Sequence, residues 1–211
     1  KVFEIGRVFR NEGIDKEHLQ DYLQCEFYWA YADYKNLMDF TEKMYKEIVK
    51  KTIGGLMTVY EGKKINWAKK WPRLDYYDVF KKYVGLDLSK ATEEELRRKV
   101  GSLIPNSKFP RLPVPEHSDG GQVIPKMGRG RLIDLLFKKV VRPMLVQPVL
   151  LINHPVDVSP LSKRSAKDPD RVERIQVMAG GTELGNGWSE LNDPQDQRQR
   201  FEEQMKLRAA G

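Results

Sequence analysis

Two stretches near opposite ends of the chain hold the side chains best suited to chemistry. Residues 2–13 read VFEIGRVFRNEG, and residues 183–193 read ELGNGWSELND. Each combines fixed charges, amides and glycines, which a site needs to hold a nucleotide and a small zwitterion. Neither has the composition of an ordinary hydrophobic core. The two stretches therefore predict a site at which polar ligands bind or react.

Arg10 is the strongest candidate for an anion-binding residue in the first stretch. Its guanidinium is a planar fork of donors that stays charged, so it suits a phosphate or a carboxylate. Glu12 and His18 follow in the adjoining loop, and Glu26 and Tyr28 follow on the next predicted strand. Because side chains alternate along a strand, Glu26 and Tyr28 should point to the same face. A carboxylate beside a phenol is suited to holding an ammonium group.

The second stretch predicts a pocket lined by another strand. Regular alternation places Asn186, Trp188 and Glu190 on one face, and Glu183 on the opposite face with two glycines. An amide, an aromatic wall and an acid together suit a cation, although Trp188 is also compatible with ordinary core packing. The glycines would let a ligand or another backbone approach closely.

The remaining candidates for chemistry are weaker. His117 lies in a proline-rich segment and is expected at the surface, whereas His154 precedes a proline at a strand end, where we expect a structural hydrogen bond. Cys25 is expected to be a small buried side chain. The sequence has no Ser-His-Asp arrangement, glycine-rich phosphate loop or zinc-ligand spacing, so a hydrolase is not supported.

Hydrophobic periodicity predicts the elements that must position these residues. Alternation with Phe3 and Ile5 on buried faces predicts a strand over residues 2–9, paired antiparallel with a strand over residues 23–31. Further elements follow the same reasoning: a helix over 37–49 ended by Gly54 and Gly55, a helix over 130–141, a buried strand over 146–152, and a strand pair, 174–178 and 182–187, joined by Gly180 and Gly181. The first helix should pack on the sheet.

The character of the chain changes between these elements. Residues 58–67 predict a hairpin, residues 75–84 a short helix, and the spacing of Thr92 and Glu95 a capping box that opens another helix. A run of prolines then indicates an irregular connector. We interpret about 57–125 as an insertion away from the chemistry.

Composition limits the partners and the compartment. The 211 residues are 40% hydrophobic, enough for a sizeable core, and carry 37 Lys and Arg against 30 Asp and Glu, a net charge of +7. This excess suits a polyanion such as RNA or a nucleotide, although it is also compatible with a solvated surface. The single cysteine excludes an internal disulfide framework and predicts a reducing, cytoplasmic compartment. No apolar run approaches the roughly 20 residues of a membrane-spanning helix.

Four segments together resemble one enzyme family. Residues 9–13, FRNEG, followed by residues 26–34, EFYWAYADY, resemble motif 2 of the class II aminoacyl-tRNA synthetases. Residues 154–164, HPVDVSPLSKR, and 185–194, GNGWSELNDP, resemble the lysyl members more closely than the aspartyl and asparaginyl members, which share the scaffold. The resemblance thus runs from motif 2 to the region before motif 3.

The resemblance implies an α+β fold, in which an antiparallel β-sheet is flanked by helices. It is strong over residues 2–34, 145–164 and 171–205 and weak between 55 and 125. Residues 1–211 would then form part of a catalytic domain that carries the insertion at about 57–125.

The resemblance implies four ATP-binding residues. Arg10 would hold the α-phosphate together with the substrate carboxylate, and is the implied catalytic residue. Glu12 would bind the adenine amino group, and His18 would reach the terminal phosphates. Tyr22 stands where the family usually stacks a phenylalanine on adenine.

Lysine would be held by five residues if the family's roles carry over. Glu26 would bind its α-ammonium group and Asn186 its carboxyl end. Tyr28 and Glu190 would bind the ε-ammonium group. Trp188 stands where a phenylalanine or tyrosine usually lines the side-chain channel, which predicts a tighter channel.

Magnesium is the implied cofactor beside ATP. Glu183 matches a magnesium ligand of the family, whereas Gln176 replaces the second carboxylate, seven residues earlier. A neutral amide is a poorer magnesium ligand than a carboxylate.

The activity implied by the resemblance is that of a lysine–tRNA ligase, which converts lysine and ATP to lysyl-adenylate and transfers lysine to tRNA. Motif 1, motif 3 and the anticodon-binding domain would lie outside the chain. We therefore expect a homodimer formed through segments absent here, and an isolated chain without activity. Two alternatives stay open: a lysine ligase paralogue that modifies a protein, and a non-catalytic binding module derived from a synthetase.

Overall fold

The computed structural model describes residues 1–11, 18–104 and 127–209, and the chain divides into two compact units, Lys1–Asp33 and Tyr34–Gly211. The first unit is an antiparallel hairpin of β1 (Val2–Phe9) and β2 (Asp21–Tyr28), in which Glu4 lies opposite Glu26. The predicted strand pair is confirmed. The second strand begins and ends a little earlier than its sequence pattern predicts.

The hairpin exposes side chains that alternation predicts to be buried. Phe3 is 75% exposed and Ile5 is 65% exposed, and Cys25 is exposed as well. Alternation assigns residues to faces but does not say what covers each face. Among the described residues of this unit there is no second layer on either face, so the predictions of burial for these three residues were wrong.

The second unit contains the remaining helices and strands. They are α1 (Tyr34–Ile53), β3 (Met57–Tyr60), β4 (Lys63–Asn66), β5 (Arg73–Asp75), α2 (Tyr76–Val84), α3 (Glu93–Leu103), α4 (Arg129–Leu136), β6 (Val149–Pro155), β7 (Arg171–Ala179), β8 (Thr182–Trp188) and α5 (Pro194–Ala209). A π-helical turn, Phe137–Val141, and a 3-10 turn, Arg142–Met144, follow α4, and a second 3-10 turn, Val156–Val158, follows β6.

Local capping explains where these helices begin and end. Asp75 caps α2 by accepting a hydrogen bond from the Tyr77 backbone N–H at 2.9 Å. Thr92 and Glu95 form the predicted capping box at the start of α3. Gly54 ends α1 in the left-handed conformation, with φ of 80°, and donates its backbone N–H to the Lys50 carbonyl at 3.0 Å.

The central sheet has the order β5-β6-β7-β8. The predicted strand pair β7–β8 is confirmed and is antiparallel. Strand β6 also pairs antiparallel with β7, whereas β5 pairs parallel to β6. Strand β5 and helix α2 come from the segment interpreted as an insertion, and both join the sheet and core of this unit. The insertion itself stays a prediction.

The two faces of the sheet bury different cores. Ile175 and Val177 on one face pack with α1 residues and with Trp71. Leu151 and Met178 on the other face pack with α2 and α4. The predicted packing of α1 on the sheet is confirmed by its contacts with β7 and β8. Among the described helices, none is both long and apolar enough to cross a membrane.

Candidate functional site

One face of the β1–β2 hairpin carries a row of hydrogen-bonded polar side chains. Glu26 accepts a hydrogen bond from the Gln24 amide at 2.7 Å and another from the Tyr28 hydroxyl at 2.5 Å. Glu26 and Tyr28 therefore share a face, as alternation predicts. Glu4 lies opposite Glu26, so two acids meet on this face. The carboxylates suit a cation.

The row continues toward Arg10 at the loop end of the hairpin. The Tyr22 hydroxyl donates to the Gln24 side-chain oxygen at 3.4 Å, and an Arg10 guanidinium nitrogen lies 3.5 Å from the same oxygen. The Arg10 guanidinium carbon is 5.8 Å from the centre of the Tyr22 ring, within the range of a cation–π contact. The face thus has a cation at one end and acids at the other, a polarity that matches a zwitterion.

A cleft of about 470 Å³ lies over this face and is lined by Glu4, Gly6, Gln24 and Glu26 among others. This volume falls in the range of small-molecule sites. His18 is exposed next to the strand. Glu12, which the resemblance assigns to adenine, lies outside the described residues.

A β-bulge changes the face on which Glu183 lies. Val177 pairs with Gly185 and Met178 pairs with Glu183, so Leu184 is an extra residue in β8. The bulge brings Glu183 to the face of Gln176 and Asn186. The prediction that Glu183 points away from Asn186 was wrong, because it assumed an unbroken strand.

Glu183 is held there by two amides. The Gln176 side-chain nitrogen donates to one carboxylate oxygen at 2.7 Å, and the Asn186 side-chain nitrogen donates to the other at 2.8 Å. Both oxygens therefore already have a donor in the protein. These two bonds fix the orientation of the carboxylate.

The glycines of β8 make room for helix α1 on the opposite face. A Cβ on Gly187 would come within 2.5 Å of Leu37, and a Cβ on Gly185 within 3.1 Å of the Tyr45 hydroxyl oxygen. That hydroxyl donates to the Leu184 carbonyl at 2.6 Å, which satisfies an acceptor at the bulge. Close approach at these glycines was predicted, but it is made by side chains of α1.

Trp188 and Glu190 lie together at the end of β8. The Trp188 indole N–H donates to a Glu190 carboxylate oxygen at 3.2 Å. Trp188 is half-buried and Glu190 is exposed, which fits a wall and an acid at an open site. Glu190 also forms an isolated β-bridge with Ser162, so the strand end is joined to the segment after β6.

A buried histidine, His154, is hydrogen-bonded to the Gln176 side chain. The His154 Nε2 atom is 2.9 Å from the Gln176 side-chain oxygen, and the His154 ring lies against Tyr76 with 5.1 Å between ring centres. Burial, reinforced by the charge of Arg174, lowers the pKa of His154 to about 3. The ring is therefore neutral at physiological pH. The predicted structural hydrogen bond of His154 is confirmed.

Two arginines that sequence reasoning missed hold the segment after β6. Arg174 donates to the Val158 carbonyl at 3.0 Å and to the Ser159 hydroxyl at 3.1 Å. Arg200, only 4% exposed, donates to the Ser162 carbonyl at 2.9 Å and to Asp196 at 2.6 Å. Hydrogen bonds from Arg200 are the main cause that lowers the pKa of Asp196 to about 2. The i,i+4 spacing of this acid and arginine was the available signal.

The described side chains around Glu183 offer a metal ion a single carboxylate, that of Glu183 itself. Among the described residues, no group of three Asp, Glu, His or Cys side chains is arranged to hold a metal. Magnesium can bind through one carboxylate if water or substrate phosphates complete its octahedron. Glu183 fits that limited role, whereas Gln176 offers its nitrogen rather than its oxygen on this side.

Comparisons with known proteins agree with the sequence motifs. The family model of tRNA synthetases class II (D, K and N) matches residues 1–210. The lysine–tRNA ligase of Moorella thermoacetica is 40% identical over 212 residues, which cover 100% of this chain and 40% of the relative. That of Thermotoga maritima is 40% identical over 211 residues, covering 100% of this chain and 38% of the relative.

A third relative extends the comparison to another bacterium. The lysine–tRNA ligase of Dehalococcoides mccartyi (strain ATCC BAA-2266) is 37% identical over 214 residues, covering 99% of this chain and 39% of the relative. The chain thus spans about 40% of the length of the curated relatives it matches. Because the family model matches nearly every residue, the chain belongs to the class II tRNA synthetases of the D, K and N type.

Proposed function

We propose that the chain is part of the catalytic domain of a lysine–tRNA ligase, which activates lysine with ATP and transfers it to tRNA(Lys). The observation that carries the proposal is that each predicted cation-binding acid has an aromatic donor: Glu26 with Tyr28, and Glu190 with Trp188. Two acids match the two ammonium groups of lysine, whereas aspartate and asparagine have only one. The relatives compared above carry the name lysine–tRNA ligase, which supports the same choice.

The roles proposed for lysine binding follow the charge of each group. Glu26 binds the α-ammonium group, and Asn186 donates from its amide to the carboxylate. Tyr28 and Glu190 bind the ε-ammonium group, and Trp188 packs along the methylene chain. Charge-assisted hydrogen bonds of this kind are about twice as strong as neutral ones.

The roles proposed for ATP belong to the loop end of the hairpin. Arg10 contacts the α-phosphate, Tyr22 stacks on adenine, Glu12 accepts from the adenine amino group, and His18 reaches the terminal phosphates. The cation–π distance between Arg10 and Tyr22 supports this arrangement, since it puts an anion-binding fork beside an aromatic face.

The chemical step needs positioning and charge rather than a protein nucleophile. The lysine carboxylate oxygen attacks the α-phosphorus, the bond to the bridging oxygen of pyrophosphate breaks, and lysyl-adenylate and pyrophosphate result. Arg10 stabilises the negative charge that builds on the α-phosphate oxygens. Holding the two reactants in line supplies most of the remaining acceleration.

Glu183 is the residue proposed to hold Mg²⁺ together with the phosphates of ATP. A bound Mg²⁺ would supply positive charge to the phosphates. The tRNA is proposed as the acceptor of lysine, and the net charge of +7 favours binding of a polyanion. A homodimer stays a prediction.

The test is a ligand-specific thermal shift. The chain is heated with lysine, aspartate or asparagine, each with a nonhydrolysable ATP analogue and Mg²⁺. Lysine at about 100 times its dissociation constant should stabilise the chain by roughly 2.7 kcal/mol, and the other two amino acids should not. An equal response to aspartate would overturn the proposed specificity. No response to any of the three would overturn the assignment of a binding site to this chain.

A further inference from the structure

Three hydrogen-bonded side chains connect the core to the polar face of β8. His154 Nε2 lies 2.9 Å from the Gln176 side-chain oxygen, and the Gln176 nitrogen donates to Glu183 at 2.7 Å. His154 is 1% exposed and Gln176 is 8% exposed, so solvent has little access to the bond between them. Asn186 donates to the second oxygen of Glu183.

Which group donates in each of these hydrogen bonds follows from the protons that each side chain carries, beginning with Glu183. An ionised carboxylate can only accept hydrogen bonds, so the group of Gln176 that faces it must be the NH₂. The Gln176 oxygen therefore faces His154, and His154 Nε2 must carry a proton to donate to it. A neutral imidazole has one N–H, which leaves Nδ1 unprotonated. Nδ1 makes no hydrogen bond of standard geometry among the described residues, although the Arg174 backbone interacts with the ring and favours its protonation.

We infer that His154 is a positioning residue that fixes the orientation of the Gln176 amide, and that Gln176 thereby acts as a permanent N–H donor to Glu183 rather than as a metal ligand. The opposite orientation would aim the amide oxygen at a carboxylate. It would also reverse the bond to His154, since the Gln176 NH₂ would then donate to an unprotonated Nε2 and the ring proton would lie on Nδ1. The partial positive charge of the Gln176 NH₂ stabilises the Glu183 carboxylate in place of a metal ion. This inference goes beyond the proposed function and does not depend on the identity of the substrate.

Replacing Gln176 by Glu should create a response to metal ions. In Gln176→Glu, His154 still donates to one oxygen, but the other oxygen faces Glu183 at close range. Two adjacent carboxylates repel and take up a cation or a proton. We expect a lower melting temperature than that of the native chain without metal, recovery with Mn²⁺, and Mn²⁺ affinity at least about tenfold above that of the native chain, measured by paramagnetic resonance or calorimetry.

The matched control reverses the pair. The double variant Gln176→Glu with Glu183→Gln restores one carboxylate and one amide and keeps the bond from His154. It should lose the Mn²⁺ response. The inference is overturned if the native chain binds Mn²⁺ as tightly as Gln176→Glu, or if the double variant responds as strongly as the single one.

The role of His154 can be observed without changing the fold. Nitrogen-15 resonances of the native chain should show His154 protonated at Nε2 and unprotonated at Nδ1. In His154→Leu, the side-chain NH₂ of Gln176 should exchange with solvent at least about tenfold faster, because its oxygen has lost its donor. Tyr76→Phe, which keeps the ring against His154, should leave that exchange unchanged. An Nδ1-protonated ring in the native chain contradicts the inference.

Discussion

Glu190 accepts a hydrogen bond from the Trp188 indole at the end of β8, and its side chain is exposed, so a ligand can approach it. We expect Glu190→Gln to weaken lysine binding by about 1–3 kcal/mol, since a charge-assisted partner of the ε-ammonium group becomes neutral. Calorimetric titration of lysine in the presence of an ATP analogue measures this loss. Glu203→Gln on α5 is the matched control and should bind like the native chain. Equal affinity in both variants would remove Glu190 from the lysine site.

His154 makes the stability of the second unit depend on pH. Its pKa of about 3 in the folded chain lies below the ordinary histidine value of about 6.5. The unfolded chain therefore binds a proton first as pH falls, so the contribution of neutral His154 is present above about pH 6.5 and is lost between 6.5 and 3. Burial and the nearby Arg174 charge oppose protonation, whereas the Gln176 side chain and the Arg174 backbone favour it.

The expected size of this effect is about 2 kcal/mol of unfolding free energy lost between pH 7 and pH 5. Urea unfolding of the native chain and of His154→Leu at both pH values isolates the histidine, because the other titrating groups are common to both proteins. The native chain should lose about 2 kcal/mol more than the variant over this interval. Parallel losses in the two proteins would show that folding does not lower the pKa of His154.

At the scale of elements, α5 holds the segment after β6 through Arg200. The guanidinium is buried and donates to backbone carbonyls of that segment as well as to Asp196. We expect Arg200→Leu to destabilise the chain by about 3–5 kcal/mol, because it leaves several carbonyls without their donor and leaves Asp196 with only the longer bonds from Arg164. Arg198 lies two residues earlier in α5 and is exposed. Arg198→Leu should therefore change stability by less than about 0.5 kcal/mol. Chemical denaturation measures both, and similar losses would contradict the role of Arg200.

Periodicity predicted the existence of most elements because it depends on local backbone geometry. The helix ending at Gly54 and the capping box at Thr92 were predicted for that reason and are confirmed. The parallel pairing of β5 with β6 was not predicted, since pairing between distant segments leaves no local pattern. The bulge at Leu184 was also missed, because a single extra residue does not change composition.

The candidate site was predictable where a residue's chemistry and its strand parity were enough. Glu26 beside Tyr28, and Trp188 beside Glu190, follow from alternation alone. Glu183 was assigned to the wrong face because parity fails across a bulge. The bonds from His154 to Gln176 join positions 22 residues apart in sequence, and no periodicity reports such a contact.

For the whole molecule, the two compact units should differ in local stability. A two-stranded hairpin is marginally stable by itself, and β1–β2 exposes large apolar side chains. Strands β6 and β7 of the central sheet pack against buried clusters on both faces. We expect amides bonded across β1–β2 to exchange with solvent at least about 100-fold faster than those of β6 and β7, measured by hydrogen exchange.

Bound ligands should reduce the difference in hydrogen exchange between β1–β2 and the central sheet. If Arg10 and Glu26 bind ATP and lysine, saturating lysine with an ATP analogue should slow exchange in β1–β2 while leaving the central sheet unchanged. Aspartate in place of lysine is the control. Equal protection of both units without ligand would contradict the expected difference in stability, and no slowing with lysine would contradict the roles of these residues.

Because of the bulge, the face on which Glu183 lies depends on the number of residues between it and Asn186. Because Leu184 has no partner of its own on β7, its deletion would leave Glu183 opposite Met178 and on the same face. Deletion of Gly185 instead would put the leucine opposite Val177 and drive its side chain against Tyr45 of α1. A relative that is one residue shorter in this strand can therefore keep the same acid in the same place, provided that the residue it lacks is the bulged one.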